Sequence, residues 1–286
     1  MIKTLHRIAI GFCMGAADIV PGVSGGTMAF ILGIYEELVD SIRRFGSKEL
    51  WSPLLRRDIK TVIKRSNWQF LSSVAFGILL AVILLSHFLE KLLTEHPVAI
   101  WSFFFGLVLA SALIVSKRVS AWGPEKIISL IVGALIAYII VGLVPVNTPD
   151  APWFLVLSGS IAICAMILPG ISGSFLLVIL GKYEIILSAV NTKDIATLMY
   201  VGIGAVGGLL IFSHFLSWLL HKYHDVTIAC LTGLMIGSLQ KVWPWKESAD
   251  SIKNIIPQLG PDAWLGISLM IAGAIVVLAL DKLSNR

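Results

Sequence analysis

The chain has 286 residues, of which 57% are hydrophobic and only 14% charged, and its mean hydropathy is strongly positive. A soluble domain carries about 25% charged residues, so the composition points instead to an all-α polytopic membrane protein. The net charge of +5 is no nucleic-acid footprint, because most of it comes from eight Lys and Arg crowded between Arg43 and Arg65.

The chain starts with a basic end and an apolar run, in the manner of a leader. The run ends in Asp18 and passes straight into Pro21-Gly22 without a small-residue cleavage site, so it is read as part of the mature protein. The stretch ADIVPGVSGGTMAFILGIYEEL, residues 17–38, sets an acid, a proline, glycines and hydroxyls into an apolar segment. Proline lacks a backbone donor and glycine admits positive φ, so Pro21 and Gly22 form a hinge that ends one half-helix and starts another. A new half-helix presents free N–H groups and a positive dipole end, which favour an anion. Ser24 and Thr27 add hydroxyls, while Gly25 and Gly26 let a ligand approach the backbone. The pattern predicts a re-entrant hairpin over 8–42.

Two acids in it admit two readings each. Asp18 either caps the second half-helix or carries a coupling ion. Glu36 either works inside the membrane, where ionisable groups are costly and functional, or sits at its edge beside Arg43 and Arg44. A protonatable acid near an anion site would repel the anion when charged and admit it when neutral.

Residues 43–66 alternate apolar side chains such as Leu54, Leu55, Ile59 and Ile63 with Arg56, Arg57, Lys60 and Lys64. This pattern predicts an interfacial segment on anionic lipid, or an ordinary positive-inside loop. Transmembrane helices are expected at 69–90, 98–116 and 127–144. The first carries His87, in a Ser-His-Phe-Leu step. The segment VPVNTPDAP then contains a linker at 147–152.

The second half, 153–286, echoes the first, 1–146. LPGISGSFLLVILGKYEIIL from Leu168 repeats the opening motif at an offset of 148 residues, so Pro169, Gly170, Ser172, Gly173, Ser174 and Glu184 stand for Pro21, Gly22, Ser24, Gly25, Gly26 and Glu36. Met166 replaces Asp18. A second hairpin is predicted over 153–190, then transmembrane helices at 198–220, 227–240 and 263–281. His214 repeats His87 in its own Ser-His-Phe-Leu step, and each is either a packing residue or a phosphate contact or proton relay. Gly106, Ser111 and Gly133-Ala134 recur as Gly233, Ser238 and Gly273-Ala274, while GIGAVGG at 202–208 reads as a small-residue packing face.

Repeats of this kind are how many transporters are built, with the site at the repeat interface. If each motif segment dips and returns, each half has three spans and the halves are inverted; if it crosses, each has four and they are parallel. Lys and Arg fall equally under both models. Each Pro-Gly leaves two apolar pieces of about a dozen residues, short for crossing, which favours re-entrant, inverted hairpins meeting near the midplane. Cys13, Cys164 and Cys230 lie in apolar runs without ligand spacing, so no metal, disulfide or cofactor is expected.

The string MGAADIVPGVSGGTMAFILGIYEEL closely resembles the signature of the polyprenyl-phosphate transporter family, and the resemblance spans essentially the whole chain. It implies return of undecaprenyl phosphate from the outer to the inner leaflet of the bacterial plasma membrane for reuse in envelope synthesis. It also implies paired re-entrant segments, with Asp18, Ser24, Gly25, Gly26, Thr27 and Glu36 at the signature positions. A multi-pass protein of that membrane with a cytoplasmic N-terminus and a proton or sodium coupling ion is the resulting expectation. A phosphatase resembling the BacA-type undecaprenyl-diphosphate enzymes would need an arginine where Gly25 and Gly173 stand, and a Glu-x-x-x-Glu step that is absent. An enzyme is therefore not expected. A small-anion transporter would fit the same half-helix chemistry.

Overall fold

A computed structural model describes residues 2–20, 22–247, 253–258 and 260–284. Pro21, expected as a hinge, lies outside the described residues. The described chain folds into fourteen α-helices: α1 Ile2–Ile19, α2 Gly25–Ile31, α3 Tyr35–Phe45, α4 Lys48–Leu55, α5 Ile59–Arg65, α6 Trp68–Glu95, α7 Pro97–Ser116, α8 Pro124–Val141, α9 Pro152–Ile167, α10 Gly173–Ile179, α11 Tyr183–Thr192, α12 Ile195–Lys222, α13 His224–Ser238 and α14 Pro261–Ser284. Their starts follow local chemistry. Pro97, Pro124 and Pro152 open α7, α8 and α9, where a missing N–H costs nothing. Asp194 caps α12 by accepting from the N–H groups of Ala196 and Thr197.

Helices α6, α7, α8, α12 and α14 are long and apolar enough to cross a bilayer, and the α10–α11 pair, bent by 106°, counts as a sixth span if taken as one. The chain is a multi-pass membrane protein. The span expected at 227–240 is α13, which has 15 residues and so covers about 22 Å. It starts on the polar pair His224-Asp225 and turns off after Ser238, so it falls short of a full crossing. Apolar side chains cover the outer faces, among them Ile83 on α6, Ile139 on α8, Ile211 on α12 and Ile275 on α14. Such a surface belongs in hydrocarbon.

Four helix pairs carry the packing: α1 with α6, α9 with α12, α8 with α13, and α7 with α14. Lipid is as apolar as leucine, so close backbone approach must hold these pairs together. Glycine supplies it. A side chain at Gly11 or Gly77 would strike the partner backbone between α1 and α6, and Gly159 and Gly204 do the same for α9 and α12. Gly133 of α8 meets Cys230, Gly233 of α13 meets Leu130, Gly106 of α7 meets Met270, and Gly273 of α14 meets Phe103. The glycines that recur between the two halves thus sit at helix crossings. Within GIGAVGG, Gly204 and Gly208 face α9 while Gly202 and Gly207 face open space.

Each motif segment is broken twice, not once. Beyond the Pro-Gly turn, α2 ends at Gly33 (φ +72°) and α10 at Gly181 (φ +63°), so the middle piece is only seven residues in both. Leucine-glycine followed by Tyr-Glu is a helix stop and a new start with an acid in its first turn. The basic stretch 43–66 is likewise two short helices, α4 and α5, with Trp51, Leu54, Leu55, Ile59 and Ile63 exposed.

Candidate functional site

The first break leaves α1 at Ile19 and passes Gly22, whose φ of +88° needs glycine. Ser24 is the N-cap of α2, and its Oγ accepts from the N–H of Gly26 at 3.1 Å. The N–H of Gly25 donates to Asp18 Oδ1 at 2.7 Å, and that of Thr27 to the Ser24 carbonyl. Asp18 therefore caps the half-helix. Its carboxylate lies where a side chain on residue 25 would stand, while the Ile167 carbonyl fills the space beside Gly26. These two glycines make room for the protein's own acceptors, so the backbone opening expected there is closed in this structure.

The second break differs. Gly170 has φ +87°, and Ser172 occupies the N-cap position without capping: its Oγ instead pairs with Ser174 Oγ at 2.8 Å. Met166, at the position of Asp18, lies against Gly173 and offers no acceptor. Ser174 is exposed. All of α2 is buried, whereas in α10 only Gly173 and Ile179 are.

The two breaks touch. Ser24 Oγ donates across them to the carbonyls of Leu168 (3.1 Å) and Met166 (3.3 Å), at the open end of α9. The N–H of Gly170 donates to Thr27 Oγ1 at 3.2 Å. The Ser24 and Thr27 hydroxyls, buried to 1% and 0% exposure, are thus spent joining the halves. A cavity of about 400 Å³ opens beside this junction. Leu168 and Ile171, which flank the second turn, form its inner wall, with Ile136, Phe212, Phe215 and Cys230 further out. Phe212 and Phe215 also line a neighbouring cavity of about 630 Å³ between α9 and α12.

The other expected site residues lie elsewhere. Glu36, half exposed at the start of α3, is 3.2 Å from His224 Nε2 at the start of α13. His224 also reaches Asp225, which pairs with Lys126. Glu184 is exposed on α11. His87 is exposed on α6, while His214 Nδ1 lies 2.8 Å from the Leu210 carbonyl and its ring packs on Gly46. The matched histidines therefore share no environment. Below His214, Ser217 donates to Asp40 at 2.6 Å, and His221 lies 3.6 Å from the same carboxylate, tying α3 to α12. Lys182 is buried against the linker, held by Asp150, the Thr148 carbonyl and the Phe154 ring.

One contact has no trace in the motif itself. Lys241, from the turn after α13, lays its stem on Gly22 and sets its Nζ 4.3 Å from the centre of the Phe175 ring on α10. Lys246 sits over Trp101 at 5.4 Å. Both belong to the 239–247 connection, outside the apolar helices. Burial lowers both ammonium pKa values from the usual lysine range, and the positive charge of Lys246 lowers Lys241 further.

The model of the undecaprenyl phosphate translocase-like family matches residues 14–258, which contain both breaks and the Lys241 turn. The chain belongs to this family. It is 42% identical to a polyprenyl-phosphate transporter of Vibrio cholerae, over 99% of both chains. It is 31% identical to a polyprenyl-phosphate transporter of Staphylococcus aureus, over 97% of this chain and 96% of that one. No solved structure matches. Both relatives are named as transporters and neither as an enzyme, in agreement with the reading that the chain is not one.

Proposed function

We propose that the chain moves polyprenyl phosphate across the bacterial plasma membrane, from the outer to the inner leaflet. The full-length relatives bring the substrate, and one observation here carries the reading: the second break borders an apolar cavity through Leu168 and Ile171. Leu168 and Ile171 wall the cavity, while Ser172 and Ser174 stand one to three residues further along the chain. An amphiphile with a phosphate head and an isoprenoid tail needs both surfaces together; a free anion needs only the first. Moving the head through hydrocarbon unaided would strand a charge without partners. A site shared between protein and lipid lowers that barrier, and no bond need be broken.

In this reading the halves 1–146 and 153–286 are inverted repeats. The first break is the fixed support, sealed by Asp18, Gly25, Gly26, Ser24 and Thr27. The second receives the phosphate through Ser172, Gly173 and Ser174. Gating falls to the contacts that tie α3 to α12 and α13, of which Glu36–His224 is the one built on an expected coupling acid. Asp18, Glu184, His87 and His214 stay candidates for proton or sodium coupling. The basic faces of α4 and α5 rest on anionic lipid, with the N-terminus cytoplasmic.

Proteoliposomes loaded with labelled undecaprenyl phosphate test this. Leaflet accessibility should equilibrate with wild-type protein and stall with Ser172→Ala combined with Ser174→Ala, and an imposed proton or sodium gradient should bias the direction. A free-phosphate flux with no lipid movement would replace this reading with a small-anion transporter.

A further inference from the structure

Lys241 touches both breaks at once. A side chain on residue 22 would strike its Cγ, and its ammonium faces the Phe175 ring, one residue beyond Ser174. Lys246 follows five residues later on the face of Trp101. Both side chains are half-buried, and among the described residues neither ammonium pairs with a carboxylate or a hydrogen-bond acceptor. The neighbouring acid Glu247 is engaged by Lys253. Two cations on one short connection, each partly dry and set over an aromatic ring, repel each other, and ring faces compensate weakly. Their pKa values are lowered, as an uncompensated pair requires. An anion bound between them would remove that cost, and a phosphate monoester carries close to two negative charges at neutral pH.

We infer that Lys241, with Lys246 behind it, is the cationic contact for a phosphate monoester at the junction of the two breaks. The inference rests on the proposed lipid-phosphate reading for the source of the phosphate, not for its chemistry. It names what the hydroxyls of the second break lack: a charge that tells a phosphate head from an uncharged alcohol. It also ties recognition to the 239–247 connection, so movement of α13 against the breaks would make or release the contact.

Binding to the full-length chain in detergent tests this, with three probes: farnesyl phosphate, farnesol and inorganic phosphate. Lys241→Met keeps the stem on Gly22 and removes only the charge. It should weaken farnesyl phosphate binding about tenfold or more and leave farnesol unchanged. Lys246→Met should have the same sign and a smaller effect, and Lys91→Met, on the far end of α6, none. Unchanged farnesyl phosphate affinity in Lys241→Met would overturn the inference. Differential labelling of the wild type needs no variant: saturating farnesyl phosphate should protect Lys241, but not Lys91, from an amine-acetylating reagent. Absence of protection would also overturn it. If inorganic phosphate bound as tightly as farnesyl phosphate, with the same dependence on Lys241, the cationic site would stand while the lipid-phosphate reading would fall.

Discussion

Ser24 and Ser172 occupy matched positions in the two motifs, yet the same truncation should do different things to them. Ser24 Oγ accepts one hydrogen bond, from Gly26, and donates to the carbonyls that end α9, all at 1% exposure. Ser24→Ala leaves a buried N–H without an acceptor and a helix-end carbonyl without a donor. An unsatisfied buried group costs about 1–3 kcal/mol, so the two together cost about 2–6 kcal/mol. Ser172 bonds only to Ser174, itself exposed, so Ser172→Ala should cost about 1 kcal/mol or less. At roughly 2–4 °C per kcal/mol, Ser24→Ala should lower the melting temperature in detergent by more than about 4 °C, up to about 20 °C, and Ser172→Ala by about 4 °C or less. Thermal unfolding followed by fluorescence-detected size exclusion reads both. Transport in proteoliposomes should show the opposite order, with Ser172→Ala losing more activity per folded molecule. Equal thermal losses in the two variants, or a larger one in Ser172→Ala, would refute the assignment of the first break as support and the second as receptor.

Three further outcomes follow from the same geometry. Gly204→Ala, which drives a methyl into Val156 of α9, should destabilise strongly, whereas Gly207→Ala, facing open space, should be neutral or stabilising by up to about 1 kcal/mol; melting temperatures of the two separate them. Glu36→Gln should shift stability by less than about 1 kcal/mol, because its contact with His224 is exposed, so a large loss of lipid movement at unchanged melting temperature would mark gating. A nitroxide placed at position 55, whose native leucine is 82% exposed, should report lipid-like oxygen accessibility in anionic bilayers. That accessibility should fall when Arg56, Arg57, Lys60 and Lys64 are all changed to Gln, which removes about 1 kcal/mol of attraction per charge.

The long apolar helices were legible because hydropathy alone sets them: α6, α7, α8, α12 and α14 start and stop within a few residues of their expected ends. The Pro-Gly breaks were legible because they act through the backbone, whereas the second break of each segment, at Gly33 and Gly181, was not read from the sequence. What occupies the breaks was less so. Four residues near Ser24 looked like an open anion cradle, yet the difference that closes it, Asp18 against Met166, was visible in the aligned motifs. A carboxylate seven residues before Gly25 reaches its N–H, and a thioether cannot. Lys241 and His224 left no local signal, because they arrive from α13 and the turn after it, far along the chain from Gly22, Phe175 and Glu36. Only the pairing of α13 with α8 places them. The matched histidines show that a shared sequence step does not fix surroundings: His87 is exposed on α6, whereas the His214 ring packs on Gly46 after α3.

The unequal breaks also bear on the proposed transport. Two identical half-helix starts would hold an anion equally from both sides, and a site bound equally in every state shifts no equilibrium. Asp18 supplies one start with an internal acceptor, and Thr27 extends the seal by accepting from Gly170 of the other turn. The cation inferred to meet the phosphate is Lys241, on a connection that contacts the first turn through its stem and the Phe175 ring of α10 through its ammonium. A shift of α13 by one turn, about 5.4 Å, would carry that ammonium away from Phe175 while leaving the Ser24 and Thr27 bonds in place. On the proposed reading the sealed break would act as the fixed reference, and differential phosphate binding between two states would come from the moving Lys241. This argument requires Asp18 to serve the fold and Lys241 the substrate: Asp18→Asn should lower stability and spare farnesyl phosphate affinity, and Lys241→Met should do the reverse.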